Sequence, residues 1–279
     1  MSGRCWIAGR TRYRLPAAVL VVIGVLSMVG VAGSAYAEDP TETFAEPAAP
    51  TSALVLSANT TFATDYVFRG FSQTDQGPAI QGGFEAEYKI FYLGVWGSNV
   101  DFGTDVNRAG NVETVANIEI DWYGGVRPEW KGISFDLGVF YYTFPGGLES
   151  WKLDYVEFGT AASYTFFEKL TFGLTNWWTP ENSGGTGYND VVEGSASYAF
   201  DQVWIFSPSL SALVGRQWGE KSAGGFDYTY WNAGLTLEFN ERPAFSLDVR
   251  YWDTNIAGCA QATIFQCDER VVGSLTAIF

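Results

Sequence analysis

From residue 54 the chain alternates between apolar and polar side chains with a period of two. Even positions read Leu54, Leu56, Ala58, Thr60, Phe62, Thr64, Tyr66 and Phe68; odd positions read Val55, Ser57, Asn59, Thr61, Ala63, Asp65, Val67 and Arg69. Successive side chains of a strand point to opposite faces, so this segment predicts a strand with one mostly apolar and one mostly polar face. The same alternation recurs at 80–88, 91–99, 116–126, 133–142, 156–164, 171–178, 190–198, 206–216, 231–239, 245–251 and 270–279. Most of these segments approach the ~9–11 residues that a tilted membrane-crossing strand needs. Twelve is an even number, as a closed antiparallel barrel with both termini on one side requires, and closure leaves no backbone unpaired in lipid.

The links between these segments alternate in length. Short links fall at 89–90, 127–132, 167–169, 200–202 and 240–243, and longer polar ones at 72–77, 101–113, 143–153, 179–189, 219–227 and 253–269. A soluble sandwich has no reason to segregate its loops in this way. The expected fold is all-β: a transmembrane antiparallel up-and-down barrel of about 12 strands, with short periplasmic turns and longer extracellular loops. Aromatic residues sit near both sets of links. Tyr88, Phe91, Trp122, Tyr123, Trp130, Phe166, Phe200, Trp204 and Phe239 flank the short ones; Tyr66, Phe68, Tyr141, Tyr142, Trp177, Trp178, Tyr230, Tyr251 and Trp252 flank the long ones. Two such groups read as interfacial girdles. The final segment ends in Phe279 after alternating apolar residues, which resembles the terminal signal read by the barrel assembly machinery.

The first 37 residues predict a secretory signal peptide. Arg4, Arg10, Arg12 and Arg14 precede an apolar stretch at 15–31, and Ala35-Tyr36-Ala37 is a small-x-small cleavage site. The competing reading is a retained helical anchor, but Gly24, Gly30 and Gly33 interrupt the apolar run. Residues 38–51, rich in Pro, Ala, Glu and Thr, are expected to be a disordered periplasmic lead-in, and 52–279 the barrel. Aromatics make up 17% of the chain and charged residues only 17%, below the ~25% of ordinary globular domains, which fits strands that meet lipid on one face. Loss of the signal removes four of 16 basic side chains and leaves 12 against 31 acidic ones, a net charge of −19. That balance excludes nucleic acid as a partner and favours cations.

Strand parity turns ten carboxylates toward the lumen: Asp65, Glu85, Glu87, Glu119, Asp121, Asp136, Glu157, Glu193, Glu238 and Asp248. Arg69, Lys89, Arg250 and Arg270 share that face. The excess of acids predicts a cation-preferring pore; the competing reading is that the charges pair across the lumen and hold it shut, as in small filled barrels. Cys259 and Cys267 lie in a polar segment of an exported chain, so a disulfide is expected between them. With no histidine, the chain suggests no metal site, and no cofactor is implied. Serine-nucleophile chemistry lacks its usual base. Glu119 and Asp121 share a face and are expected to be wall rather than an acid–base pair, so the protein is not expected to be an enzyme.

The stretch Ala63-Thr64-Asp65-Tyr66-Val67-Phe68-Arg69-Gly70-Phe71-Ser72-Gln73-Thr74 is the most specific in the chain. With 78–83, 91–101 and 119–125, it resembles the TorF family of porin-like outer-membrane proteins. The resemblance implies an outer-membrane barrel and supplies no binding residues to carry over. The expected function is a porin-like outer-membrane channel, surrounded by lipid, through which small hydrophilic solutes diffuse. The alternative is a closed structural or adhesive barrel acting through its extracellular loops.

Overall fold

The computed structural model describes residues 54–279 except 108, 240–243, 258 and 260–264. The expected signal peptide and lead-in lie outside the described residues. Twelve long strands run in chain order: β1 (Val55–Ala63), β2 (Ala79–Tyr88), β3 (Phe91–Asn99), β4 (Ile118–Val126), β5 (Ile133–Thr143), β6 (Tyr155–Phe166), β7 (Leu170–Thr179), β8 (Asn189–Ala199), β9 (Phe206–Gly219), β10 (Tyr228–Phe239), β11 (Ala244–Thr254) and β12 (Arg270–Ile278). Each pairs antiparallel with the next, and β12 returns to β1 with Asn59 opposite Ile278 and Ala63 opposite Ser274. The seam carries a 2.7 Å hydrogen bond between the Thr61 and Thr276 hydroxyls. The sheet is therefore a closed barrel, which removes the two edges that an open sheet would expose.

The outer face is apolar, because the alternation places the large hydrophobes there. Leu56, Phe62, Ile80, Leu93, Trp122, Leu137, Leu174, Val214, Val249 and Leu275 are all exposed on it. Their polar sequence neighbours turn inward. A water-soluble protein does not display such a continuous apolar band, whereas a barrel in hydrocarbon must.

The first strand departs from expectation. The alternation from 54 to 69 reads as one strand, but β1 ends at Ala63, and a two-residue-per-arm hairpin follows, pairing Val67 with Ser72 and Phe68 with Phe71. Its turn residues, Arg69 and Gly70, have φ of 48° and 87°, the left-handed pair that a tight type I′ hairpin turn demands. Period two cannot separate a wall strand from a hairpin that leaves the wall, since both alternate. The link 101–113 likewise holds a hairpin, Thr104–Val106 with Val112–Thr114, and Glu129–Trp130 extends the sheet beside β5.

Candidate pore lumen and its inserted hairpin

The hairpin after β1 folds into the barrel. Tyr66 packs edge-on against Trp96 of β3 at 5.4 Å between ring centres, and Phe68 lies 6.1 Å from Tyr142 of β5. Phe71 meets Tyr228 of β10 at 5.2 Å, and the Tyr228 hydroxyl donates to the Arg69 carbonyl at 3.1 Å. Gly70 abuts Thr254 of β11 and Tyr230 of β10 so closely that no side chain fits there. Contacts to strands around the whole wall place the hairpin inside the lumen, at the end that carries the long loops. Its base is tied by Asp65, which accepts hydrogen bonds from the Ser72 hydroxyl at 2.6 Å and the Thr74 hydroxyl at 2.9 Å.

At the tip, the Arg69 guanidinium makes a two-pronged ion pair with Glu157 of β6, at 2.8 and 2.9 Å. Glu157 also accepts from the Thr179 hydroxyl at 2.8 Å and the Tyr142 hydroxyl at 3.2 Å. The neighbouring carboxylate is Glu193 of β8. It accepts from the Trp177 indole N–H at 2.8 Å and from the Tyr230 hydroxyl. The guanidinium lies 4.7 Å from the Phe68 ring centre and 5.7 Å from that of Trp177. One cation thus sits against one carboxylate and two aromatic rings, away from water, with a second carboxyl group behind Trp177. Burying charges is tolerated only with this degree of pairing.

Toward the short-turn end the lumen is wetter. Glu157 is 0% exposed and Glu193 2%, whereas Glu87, near the short turns, is 39% exposed. There Arg127 gathers Glu85 at 2.6 Å, Glu87 and Asp136 at 3.0 Å, with its guanidinium 3.8 Å from the Tyr92 ring centre. The Tyr92 hydroxyl donates to Asp136 at 2.7 Å. Elsewhere on the wall, Arg250 pairs with Asp248 at 3.2 Å and donates to Asn232 at 2.8 Å and Ser211 at 3.0 Å. The inward positions of β8 and β9 include Ser195, Ser197, Ser207, Ser209 and Ser211, all partly exposed, so that side of the lumen is rich in hydroxyls.

The last long loop locks the hairpin from above. Cys259 and Cys267 form a disulfide with 4.9 Å between Cα atoms. Next to it, the Gln266 carbonyl accepts from the Ser72 amide at 2.8 Å, and the Gln266 side chain donates to Asp75 at 2.8 Å. Arg270 reaches Asp65 at 2.9 Å and Asp268 at 3.0 Å. On another long loop, the Trp151 indole and the Val106 amide both donate to Asp105, holding that carboxyl below the usual carboxylate range.

The sequence-predicted lumen residues fall as follows. Glu85, Glu87 and Asp136 come together around Arg127; Asp248 and Arg250 pair with each other; Glu157 pairs with Arg69, and Glu193 is held by Trp177 and Tyr230. Glu119 and Asp121 are buried on β4, with Glu119 beside Tyr66, and Glu238 is partly exposed on β10. Two expectations are corrected. Arg69 and Asp65 belong to the inserted segment and not to a wall strand. Lys89 sits in a turn with φ of 57°, exposed over the Tyr88 ring, and does not share the lumen face.

Arg127 falls in a link between predicted strands, so strand parity does not reveal it as the hub of the lower cluster. Four aromatic doublets fall in the predicted girdles on both members; in Trp122-Tyr123 the first faces out while the second stacks on Phe140 inside. In Tyr141-Tyr142, Trp177-Trp178 and Tyr251-Trp252, the first or second residue faces out and its neighbour is buried inside. Tyr66 and Tyr230 are buried as well. Adjacent residues on a strand cannot share a face, so parity carried the signal that clustering obscured.

Residues 47–279 match the family model described as bacterial protein of unknown function (Gcw_chp). The chain belongs to that family. No curated protein matches it in sequence. Among solved structures it is similar to the KdgM porin, with a TM-score of 0.51 at 6% identity over 80% of this chain and 98% of that one. The KdgM porin in complex with disordered oligogalacturonate gives 0.50 at 7% identity, over the same shares. The NanC porin gives 0.45 at 9% identity, again over 80% and 98%. At these identities the similarity is one of fold: this Gcw_chp chain has the barrel architecture of outer-membrane porins.

Proposed function

We propose that the protein is an outer-membrane channel for small hydrophilic solutes that prefers cations and is gated by the hairpin inserted in its lumen. The observation that carries this reading is the closed barrel with an apolar outer band and a charged interior. The resemblance to the TorF family supports it. In this reading the chain is exported, its signal is removed after Ala37, the assembly machinery inserts it in lipid, the short turns face the periplasm and no reaction is catalysed. The ten inward carboxylates face only four arginines, Arg69, Arg127, Arg250 and Arg270. An uncompensated negative lumen raises the local cation concentration and repels anions. A polyanionic sugar such as the oligogalacturonate in the KdgM complex is therefore a poor fit to this interior.

Liposome swelling tests the reading. Vesicles holding the purified protein are expected to swell faster in lysine than in glutamate at matched osmolarity. Equal rates would remove the cation preference. Absence of swelling by a folded barrel would support the second reading, favoured by the inserted hairpin: a barrel that stays shut and acts through its loops.

A further inference from the structure

The Arg69 guanidinium is held as a protein holds a bound ligand. It does not come from the wall but arrives on a loop hairpin. Its receptor is built by the wall alone: Glu157, Glu193, Tyr142, Thr179, Trp177 and Tyr230, from five strands. Glu157 takes the guanidinium directly, and Trp177, whose ring faces the guanidinium and whose indole N–H donates to Glu193, links a second carboxyl group to the site. A flat guanidinium fits Glu157 through two parallel hydrogen bonds, the fork geometry that distinguishes it from an ammonium. The Trp177 face, 5.7 Å away on the wall, completes a cation cage; the Phe68 ring at 4.7 Å belongs to the hairpin and leaves with it. The occupant is also imperfectly satisfied: its buried Nε–H has no acceptor among the described residues. The tether supplies that substituent and fixes its direction, whereas a free guanidinium can turn to suit.

We propose that this cage is a binding site for guanidinium-bearing solutes, with Arg69 as its tethered occupant, and that such a solute frees the hairpin by taking its place. The inference rests on the channel reading only for the route of approach, which is the partly exposed, serine-lined half of the lumen leading to the cage. Displacement exchanges one ion pair for another of the same kind. A solute at millimolar concentration competes with a tethered group whose effective concentration is also in the ~mM range.

The test uses the whole protein in detergent and does not depend on conductance. Arg69→Ala is expected to lower the melting temperature, and millimolar methylguanidinium to raise it again saturably, while methylammonium at equal ionic strength does not. Adding Glu157→Gln to that variant should weaken methylguanidinium binding roughly tenfold or more, the loss expected for a charge-assisted hydrogen-bond pair. In the unsubstituted protein, methylguanidinium should speed amide exchange in residues 66–73; this arm needs no variant to fold. If methylguanidinium neither rescues Arg69→Ala nor loosens the hairpin, the proposal is overturned. If it does both in a barrel that passes no solute, the cage stands and the channel reading falls.

Discussion

Arg69 concentrates several constraints in one side chain. It occupies a left-handed backbone position that costs a non-glycine residue free energy, and its charge is buried. Both costs are borne because Glu157 is already ordered by Thr179 and Tyr142. Removing one partner leaves the other charged and buried, so Glu157→Ala should lower stability by ~3–5 kcal/mol in a denaturant titration in detergent. A cost below ~1 kcal/mol would mean that water reaches Arg69 and the pair is no core. Gly70 faces a different constraint: its φ of 87° and its contact with Thr254 and Tyr230 both exclude a side chain. Gly70→Ala should therefore expel the hairpin, read as new protease cleavage within 64–78; an unchanged digest contradicts this.

The strands were legible in the sequence because each meets two unlike environments. Lipid on one face and a polar lumen on the other write a period of two that few other folds would sustain twelve times. The inserted hairpin was illegible as such because it is also alternating, and its Phe68-Arg69-Gly70-Phe71 turn sits where a strand end was expected. The X-Gly turn between apolar residues was the signal available. Arg127 escaped for another reason: it follows the last residue of β4, and parity arguments stop where strands do. The wall assignment is checked by spin labels. A label at Ile118 should be accessible to a lipid-soluble relaxation agent and one at Glu119 should not; the reverse pattern would shift the register of β4 by one residue. The clasp made by the last loop is checked chemically. Breaking it with Cys259→Ser should increase exchange at Ser72, whose amide is bonded to Gln266, and no change there would detach the disulfide from the hairpin.

Taken as a molecule, the barrel is asymmetric along its axis. The half near the long loops is packed with side chains, with Arg69 at its centre, and the half near the short turns is a vestibule with partly exposed charge and hydroxyls. Composition alone anticipated the acidic interior but not its division, because which charges meet depends on where the hairpin lands. The lower cluster around Arg127 braces one side of the vestibule, and partly exposed serines line another. The packed half is the obstacle that the proposed passage must clear. Single-channel recording in planar bilayers across a salt gradient, on the unsubstituted protein and on Arg69→Ala, decides whether that obstacle is a gate. The unsubstituted protein should show small or rare steps, and Arg69→Ala larger and more frequent ones with a reversal potential of the cation-selective sign. Two equally silent, correctly folded barrels, or an anion-selective reversal potential, would contradict it.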